Sequence, residues 1–211
     1  MAIKLEVFEV SNLKFEEVKL SSNKSLRLPR YNGGNVPDIK LPSVVITQNG
    51  VPRISKYFPT DKDRMFLQLP LEGDLLQRFR ALDDHLSTNE FKQRLFKSED
   101  YSYSPLVKNG VKGEYIKLKL QTDFETGDIE TMVWKSRKNE DGSTSRDGNP
   151  FVCSTLDEFS NVVRVGSTVL CIIKFVKIWM INKQYGLTVK LMKVNTIPGE
   201  KPVADDTDVD F

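Results

Sequence analysis

The sequence predicts a small, mainly antiparallel β barrel or sandwich interrupted by a short helical stretch. Three observations lead there. Short runs of alternating apolar and polar residues recur along the chain, divided by turn residues such as Asn32-Gly33-Gly34-Asn35 and Asn49-Gly50. Apolar residues at helical spacing are concentrated between residues 74 and 97. The regular strand–helix–strand alternation that builds a parallel sheet is absent, as is any internal repeat.

In chain order, Ile3–Val10 alternates Ile3, Leu5 and Val7 against Lys4, Glu6 and Phe8, and reads as a strand. Residues 12–20 fit neither period. Ser25–Tyr31 alternates, and Pro29 marks it as an edge strand or a strand end. Val44–Thr47 and Met65–Leu71 are further short strands. Asp74 looks like a helix cap, with Leu75, Phe79, Leu82 and Leu86 forming an apolar stripe behind it. Ser87-Thr88-Asn89-Glu90 fits a capping box, which places a second helix over 88–97. Residues 101–109 read as a loop. In Glu114–Phe124, Ile116, Leu118, Leu120, Thr122 and Phe124 share one face, and Tyr115, Lys117, Lys119 and Gln121 the other. A turn at Thr126-Gly127-Asp128 leads into a strand over 129–134. Lys135–Pro150 carries turn residues throughout and reads as a mobile loop, basic at its start. Thr155 and Glu158 fit another capping box, so a short helix covers 156–163.

The stretch Val169–Val194 reads as a hairpin joined by a loop, WMINKQYG, with Trp179 and Tyr185 at the loop's ends. Leu187, Val189 and Leu191 share a face opposite Thr188 and Lys190. Lys174, Lys177, Lys183, Lys190 and Lys193 sit among the apolar residues. One apolar face and one lysine-plus-aromatic face suit a barrel that holds single-stranded nucleic acid, and also any half-exposed hairpin. The ring of Trp179 either stacks a base or fills the core, and alternation does not say which.

At 211 residues with 39% hydrophobic composition and twelve Phe, the chain has material for a real core. The net charge is +2, unevenly spread. Over 199–211, five acids against Lys201 give −4, which leaves +6 on the body. A basic body with an acidic tail points to a polyanionic partner and an internal competitor for it. Cys153 and Cys171 lack motif spacing and read as core thiols of a reducing compartment. Signal-peptide patterning is absent, and the longest uninterrupted apolar run is the five residues Val169–Ile173. A soluble protein of the host-cell interior, in the cytoplasm or at a viral replication site, is expected, with no membrane partner.

Enzyme signatures are weak. His85 lies beside Asp83 and Asp84, but the apolar stripe through Leu82 and Leu86 turns these three polar residues outward. Gly33-Gly34 and the GVKG stretch at 110–113 lack the spacing and following helix of a phosphate loop. No Cys/His set has metal spacing. A non-enzyme without cofactor or metal is therefore expected. Basic residues instead sit repeatedly near aromatics: Arg30-Tyr31, Lys56-Tyr57-Phe58, Tyr115 and Lys117, Trp134 with Lys135, Arg137 and Lys138, Lys177 and Trp179, Lys183 and Tyr185. Lysines neutralise phosphates, and aromatic faces stack bases at roughly 1–3 kcal/mol each. These pairs lie on strands and loops and not on a basic helix, which favours single strands over duplex grooves. The same rings read singly as barrel-end packing. The closing Asp205-Asp206-Thr207-Asp208-Val209-Asp210-Phe211 offers phosphate-like charge and a base-like ring.

Two groups of residues resemble a known family. Lys174–Val194, with Trp179 ahead of Gly186–Leu191, and the tail Asp205–Phe211 resemble the replicative single-stranded DNA-binding proteins of short-tailed coliphages. Leu28–Tyr31, Ile54–Tyr57, Phe79–Asp83 and Tyr103–Lys108 look like the corresponding proteins of nucleocytoplasmic large DNA viruses, in the same order. The resemblance implies an OB (oligonucleotide-binding) fold, a five-stranded antiparallel barrel, over 1–198, with a helical insertion between its third and fourth strands, extra strands or loops, and a disordered acidic tail over 199–211. It implies coating of single strands in viral DNA replication, recombination and repair. It also implies a homodimer or higher oligomer, and tail contacts from Asp205, Asp206, Asp208, Asp210 and Phe211 to polymerase and helicase. The expected DNA-binding set is Arg30, Lys56, Tyr57, Tyr115, Lys117, Lys119, Trp134, Lys135, Arg137, Lys174, Lys177, Trp179, Lys183, Tyr185 and Lys190. An RNA-binding protein, or a viral adaptor that offers its tail as a peptide, is the alternative.

Overall fold

The computed structural model describes residues 2–21, 24–47, 50–141 and 143–199. Within these, the first strands are β1 (Ile3–Lys4), β2 (Leu13–Ser21), β3 (Lys24–Tyr31), β4 (Gly34–Asn35) and β5 (Ile39–Val45). A short α1 (Asp61–Arg64) leads into β6 (Phe66–Pro70), and α2 (Gly73–Ser87) and α3 (Asn89–Phe96) follow. Then come β7 (Ser102–Tyr103), β8 (Val107–Gly110), β9 (Gly113–Leu120), β10 (Met132–Lys138) and β11 (Thr144–Val152). Helix α4 (Leu156–Val162) precedes the long pair β12 (Thr168–Ile181) and β13 (Gln184–Ile197).

The chain is mainly β, and its strands join in one mixed sheet. β13 is its axis. It pairs antiparallel with β12 along its whole length and parallel with β7, β9 and β10 at successive points. β12 pairs antiparallel with β5, and β9 with β6 and β8. Most pairings are antiparallel, as the sequence predicts, but the ladders do not close a five-stranded barrel. Four pairings are parallel, and no ladder joins β5 to β6 among the described residues, so the sheet stays open. Beyond the end of β5 one hydrogen bond crosses toward β6, where the Gln68 N–H donates to the Gly50 carbonyl at 2.6 Å. A Cβ at Gly50 would meet the Val163 carbonyl oxygen at 2.9 Å and the Leu67 side chain of β6 at 3.2 Å, so a glycine suits the place where this segment passes between Val163 and β6.

The predicted hairpin forms, with a tighter turn. Asn182 and Lys183 both have positive φ, 50° and 60°, and join Ile181 to Gln184 as a two-residue loop. That backbone matches the right-handed twist of paired strands. Trp179 and Tyr185 are consequently strand residues. Two bulges interrupt the ladder, one of them between Phe175 and Lys177.

Helix α2 buries Leu75, Phe79, Leu82 and Leu86, as its stripe predicts. Each such side chain contributes roughly 1.5–3 kcal/mol. Three details differ. The N-cap of α2 is Glu72, and Asp74 instead pairs with Arg78 at 2.7 Å. α3 is capped by Thr88, whose hydroxyl accepts from the Phe91 N–H. Asp83 is buried and not outward-facing. Its carboxylate accepts from the Tyr103 hydroxyl and from the N–H groups of Leu106 and Val107, at 2.7–3.0 Å. His85 is half-buried against the Phe91 ring, and Asp84 is exposed. At α4 the Thr155 hydroxyl caps the Glu158 N–H as expected, and the Glu158 carboxylate accepts from Ser154 N–H.

Elsewhere, Ile3–Val10 is a two-residue strand followed by tight 3-10 turns, not a full strand. The unassigned 12–20 stretch forms most of β2. The expected loop at 101–109 contains β7 and β8. The expected mobile loop at 135–150 is the paired arm β10–β11. Cys153 and Cys171 are buried free thiols, and burial pushes Cys171 up to about 12. Among the described residues no helix is long and apolar enough to cross a membrane. The acidic tail with Asp205, Asp206, Asp208, Asp210 and Phe211 lies outside the described residues.

Candidate nucleic-acid interface

The site follows from strand register. Residues directly opposite in neighbouring strands share a face of the sheet. Lys174 pairs with Lys190, Lys177 with Thr188, and Trp179 with Gly186. Lys174 and Lys177 are three apart and would face opposite ways in a regular strand. The bulge between Phe175 and Lys177 absorbs one residue and brings both to one face. In β9, Lys119 pairs with Lys190, so Lys119, Lys117 and Tyr115 join the same face, while Ile116, Leu118 and Leu120 are buried on the other. β6 adds Phe66, opposite Lys119.

These strands floor a groove of about 870 Å³. Lys62, Lys108, Lys117, Lys119 and Lys190 line it together with Phe66, Phe124 and Trp179. A second recess of about 390 Å³ shares Lys190 and adds Lys174 and Arg30. The Lys117 ammonium lies 4.7 Å from the Phe66 ring centroid and 5.6 Å from that of Phe58. Burial pushes the Lys117 pKa down, and neighbouring Lys108 and Lys119 push it the same way. Burial also lowers that of Lys108, against the opposing pull of Asp83.

Arginines and lysines divide their work. Six of the seven ion pairs among the described residues use arginine: Arg27, Arg30, Arg64 (twice), Arg78 and Arg80. The only lysine among them is Lys183, 3.6 Å from Asp100. None of the groove lysines forms an ion pair among the described residues, and in this concave site their fields add, opposed in part by Asp63, Asp123 and Glu125 on the same lining and by Asp83 beside Lys108.

Trp179 is half-buried and outward. Its indole lies over Gly186, where a Cβ would come within 2.7 Å of the ring, so the missing side chain is what lets the ring lie flat on the strand. Tyr185 is a correction. It pairs with Met180 and points to the opposite face. It is fully buried among Phe91, Phe96 and Tyr103, and its hydroxyl donates to the Leu86 carbonyl. Burial pushes its phenol up to about 12. Tyr185 thus pins the hairpin to α2 and α3 and cannot stack a base.

The remaining expected residues scatter around the groove. Lys56 and Tyr57 are exposed on the segment between β5 and β6, the ammonium 5.0 Å from the ring centroid. Arg30 is held by Glu16 at 2.8 Å and Asn35 at 2.7 Å. Trp134 is half-buried on β10, with Arg146 at 5.3 Å and Lys193 at 5.8 Å from its ring. Lys135 lies 5.3 Å from the Phe151 ring, and Arg137 is exposed on the same arm. Sequence reading missed Phe124. Its alternation points inward, yet β9 ends at Leu120 and the ring is fully exposed. The Asp123-Phe124-Glu125-Thr126-Gly127 turn was the available signal.

No family model matches the chain. It is similar to an uncharacterized protein of Acanthamoeba polyphaga mimivirus, 23% identical over 223 aligned positions that cover 81% of this chain and 53% of that one. The chain thus spans about half the length of that relative.

Proposed function

We propose that the chain binds single-stranded DNA without regard to sequence, and protects and organises single strands in viral DNA replication, recombination and repair. The observation that carries this reading is a lysine floor that forms no ion pair among the described residues, with aromatic walls, on strands and loops. Phosphates need the charge, and unpaired bases need exposed π faces. The similarity to a mimivirus protein is in keeping with a viral setting.

The finer fold reading supports the same function. Five strands in chain order, β5, β6, β9, β12 and β13, follow one another around a circuit: first–second–third–fifth–fourth. The Gln68–Gly50 hydrogen bond spans the remaining gap between first and second. We read this as a partly open OB barrel, with α2 and α3 inserted after its second strand, not between its third and fourth as expected, and α4 after its third. OB folds bind oligonucleotides on the second and third strands and on the loops between strands one and two and strands four and five. Here those are the Phe66–Lys117–Lys119 face, the Lys56–Tyr57 segment, and the Trp179 hairpin end. In this reading Lys117, Lys119, Lys174, Lys177 and Lys190 contact phosphates, and Trp179, Tyr115, Tyr57 and Trp134 offer stacking faces. The acidic tail competes for the groove or is presented to replication proteins.

A tryptophan-fluorescence titration tests this. Oligo-dT is expected to quench emission and bind well ahead of duplex DNA of equal length. Equal binding of oligo-U would move the reading to RNA or to single strands generally. No response to any oligonucleotide would favour the adaptor reading.

A further inference from the structure

We propose that the turn from Asp123 to Asp128 is a base-stacking finger, on which Phe124 receives an unpaired base at the wall of the lysine groove. This rests on the single-strand reading and adds a contact absent from the expected DNA-binding set.

Phe124 is fully exposed, yet the turn that carries it is fixed. The Asp123 carboxylate accepts from the N–H groups of Glu125 and Thr126, both at 2.8 Å. The Asp123 N–H donates to the Asp128 carbonyl at 2.9 Å, and the Asp128 N–H donates to the Thr126 hydroxyl at 3.2 Å. Gly127 supplies the positive φ, 77°, that closes the loop. Thr122 bridges to Ile129 below it. None of these bonds involves the phenyl ring, so the ring does not hold the turn together. A preorganised turn that projects an aromatic ring loses little freedom on binding.

The charges around the ring define what it can receive. Phe124 shares the groove with five lysines, and its own turn contributes the carboxylates of Asp123 and Glu125. Hydrogen bonds from Thr126 and Glu125 hold Asp123 below the usual carboxylate range, so it stays charged at neutral pH. A phosphate is attracted to the lysine side and repelled from the turn. A neutral planar base is not repelled. The strand then lies with phosphates over Lys117, Lys119 and Lys190 and with a base reaching Phe124.

The test is Phe124→Ala in the full chain, with Phe124→Trp as the conservative partner. Because the ring is solvent-exposed, F124A is expected to keep the thermal midpoint of the unaltered protein. It is expected to weaken oligo-dT binding roughly tenfold, and F124W to restore it. An abasic strand of the same length should bind F124A and the unaltered protein equally. Unchanged oligo-dT affinity in F124A, or an equal loss on the abasic strand, overturns the finger. Failure of the unaltered chain to bind any single strand would instead remove the reading beneath it.

Discussion

Lys117 shows how the groove prepares its charge. Burial of its ammonium, with repulsion from Lys108 and Lys119 added, holds its pKa below the ordinary lysine value of 10.5, even though the ammonium also lies over the Phe66 ring. A bound phosphate favours the charged form and raises that pKa again. Binding therefore takes up a proton, and affinity falls as pH rises through the depressed value. Oligo-dA, whose bases stay neutral in this range, is expected to dissociate from the unaltered protein more readily as pH climbs toward 10.5. Lys117→Arg, which stays protonated, is expected to flatten that profile. Identical profiles for the two proteins would show that Lys117 meets no phosphate. At this scale the sequence was legible where alternation is regular, as in Tyr115, Lys117 and Lys119. It misled at Tyr185, because the two-residue turn was hidden inside WMINKQYG and pairing parity could not be counted. Trp179 was undecidable for the same reason.

Among the elements, α2 was readable because four apolar residues at helical spacing leave little alternative. Asp83 was not, since a buried carboxylate on that stripe makes sense only once three donors from the 103–107 segment are in place. Those bonds dock α2 onto the β7–β8 region behind the groove. Asp83→Asn replaces an acceptor oxygen with an amide donor facing N–H groups. It is expected to lower stability by about 2–3 kcal/mol, measured by urea unfolding. A change within 0.5 kcal/mol would contradict the docking role. The β10–β11 arm was illegible for the opposite reason. Polar residues occupy both its faces, with Ser136 alone buried on the paired stretch 135–138, so its composition is that of a loop. Its order comes from the backbone ladder and from Ser136 donating to the Asn195 side chain at 2.7 Å.

For the whole molecule, the decisive features are charge placement and the strand circuit. A short-strand β fold could be read from turn spacing, but the parallel contacts of β13 with β9 and β10 are long-range pairings that leave no local pattern. Five arginines (Arg27, Arg30, Arg64, Arg78 and Arg80) are held in ion pairs within the fold, while none of the groove lysines forms an ion pair among the described residues. That asymmetry is the electrostatic footprint of a polyanion site. If five phosphates are neutralised, by Lys117, Lys119, Lys174, Lys177 and Lys190, the logarithm of the oligo-dT binding constant should fall against the logarithm of salt with a slope of roughly −3.5. The most direct measurement is that slope for the unaltered chain beside a Lys117→Gln, Lys119→Gln, Lys190→Gln triple variant. The expected result is a flattening to about −1.4, roughly 0.7 per lysine removed. A slope that the triple variant leaves unchanged would contradict a phosphate-binding groove.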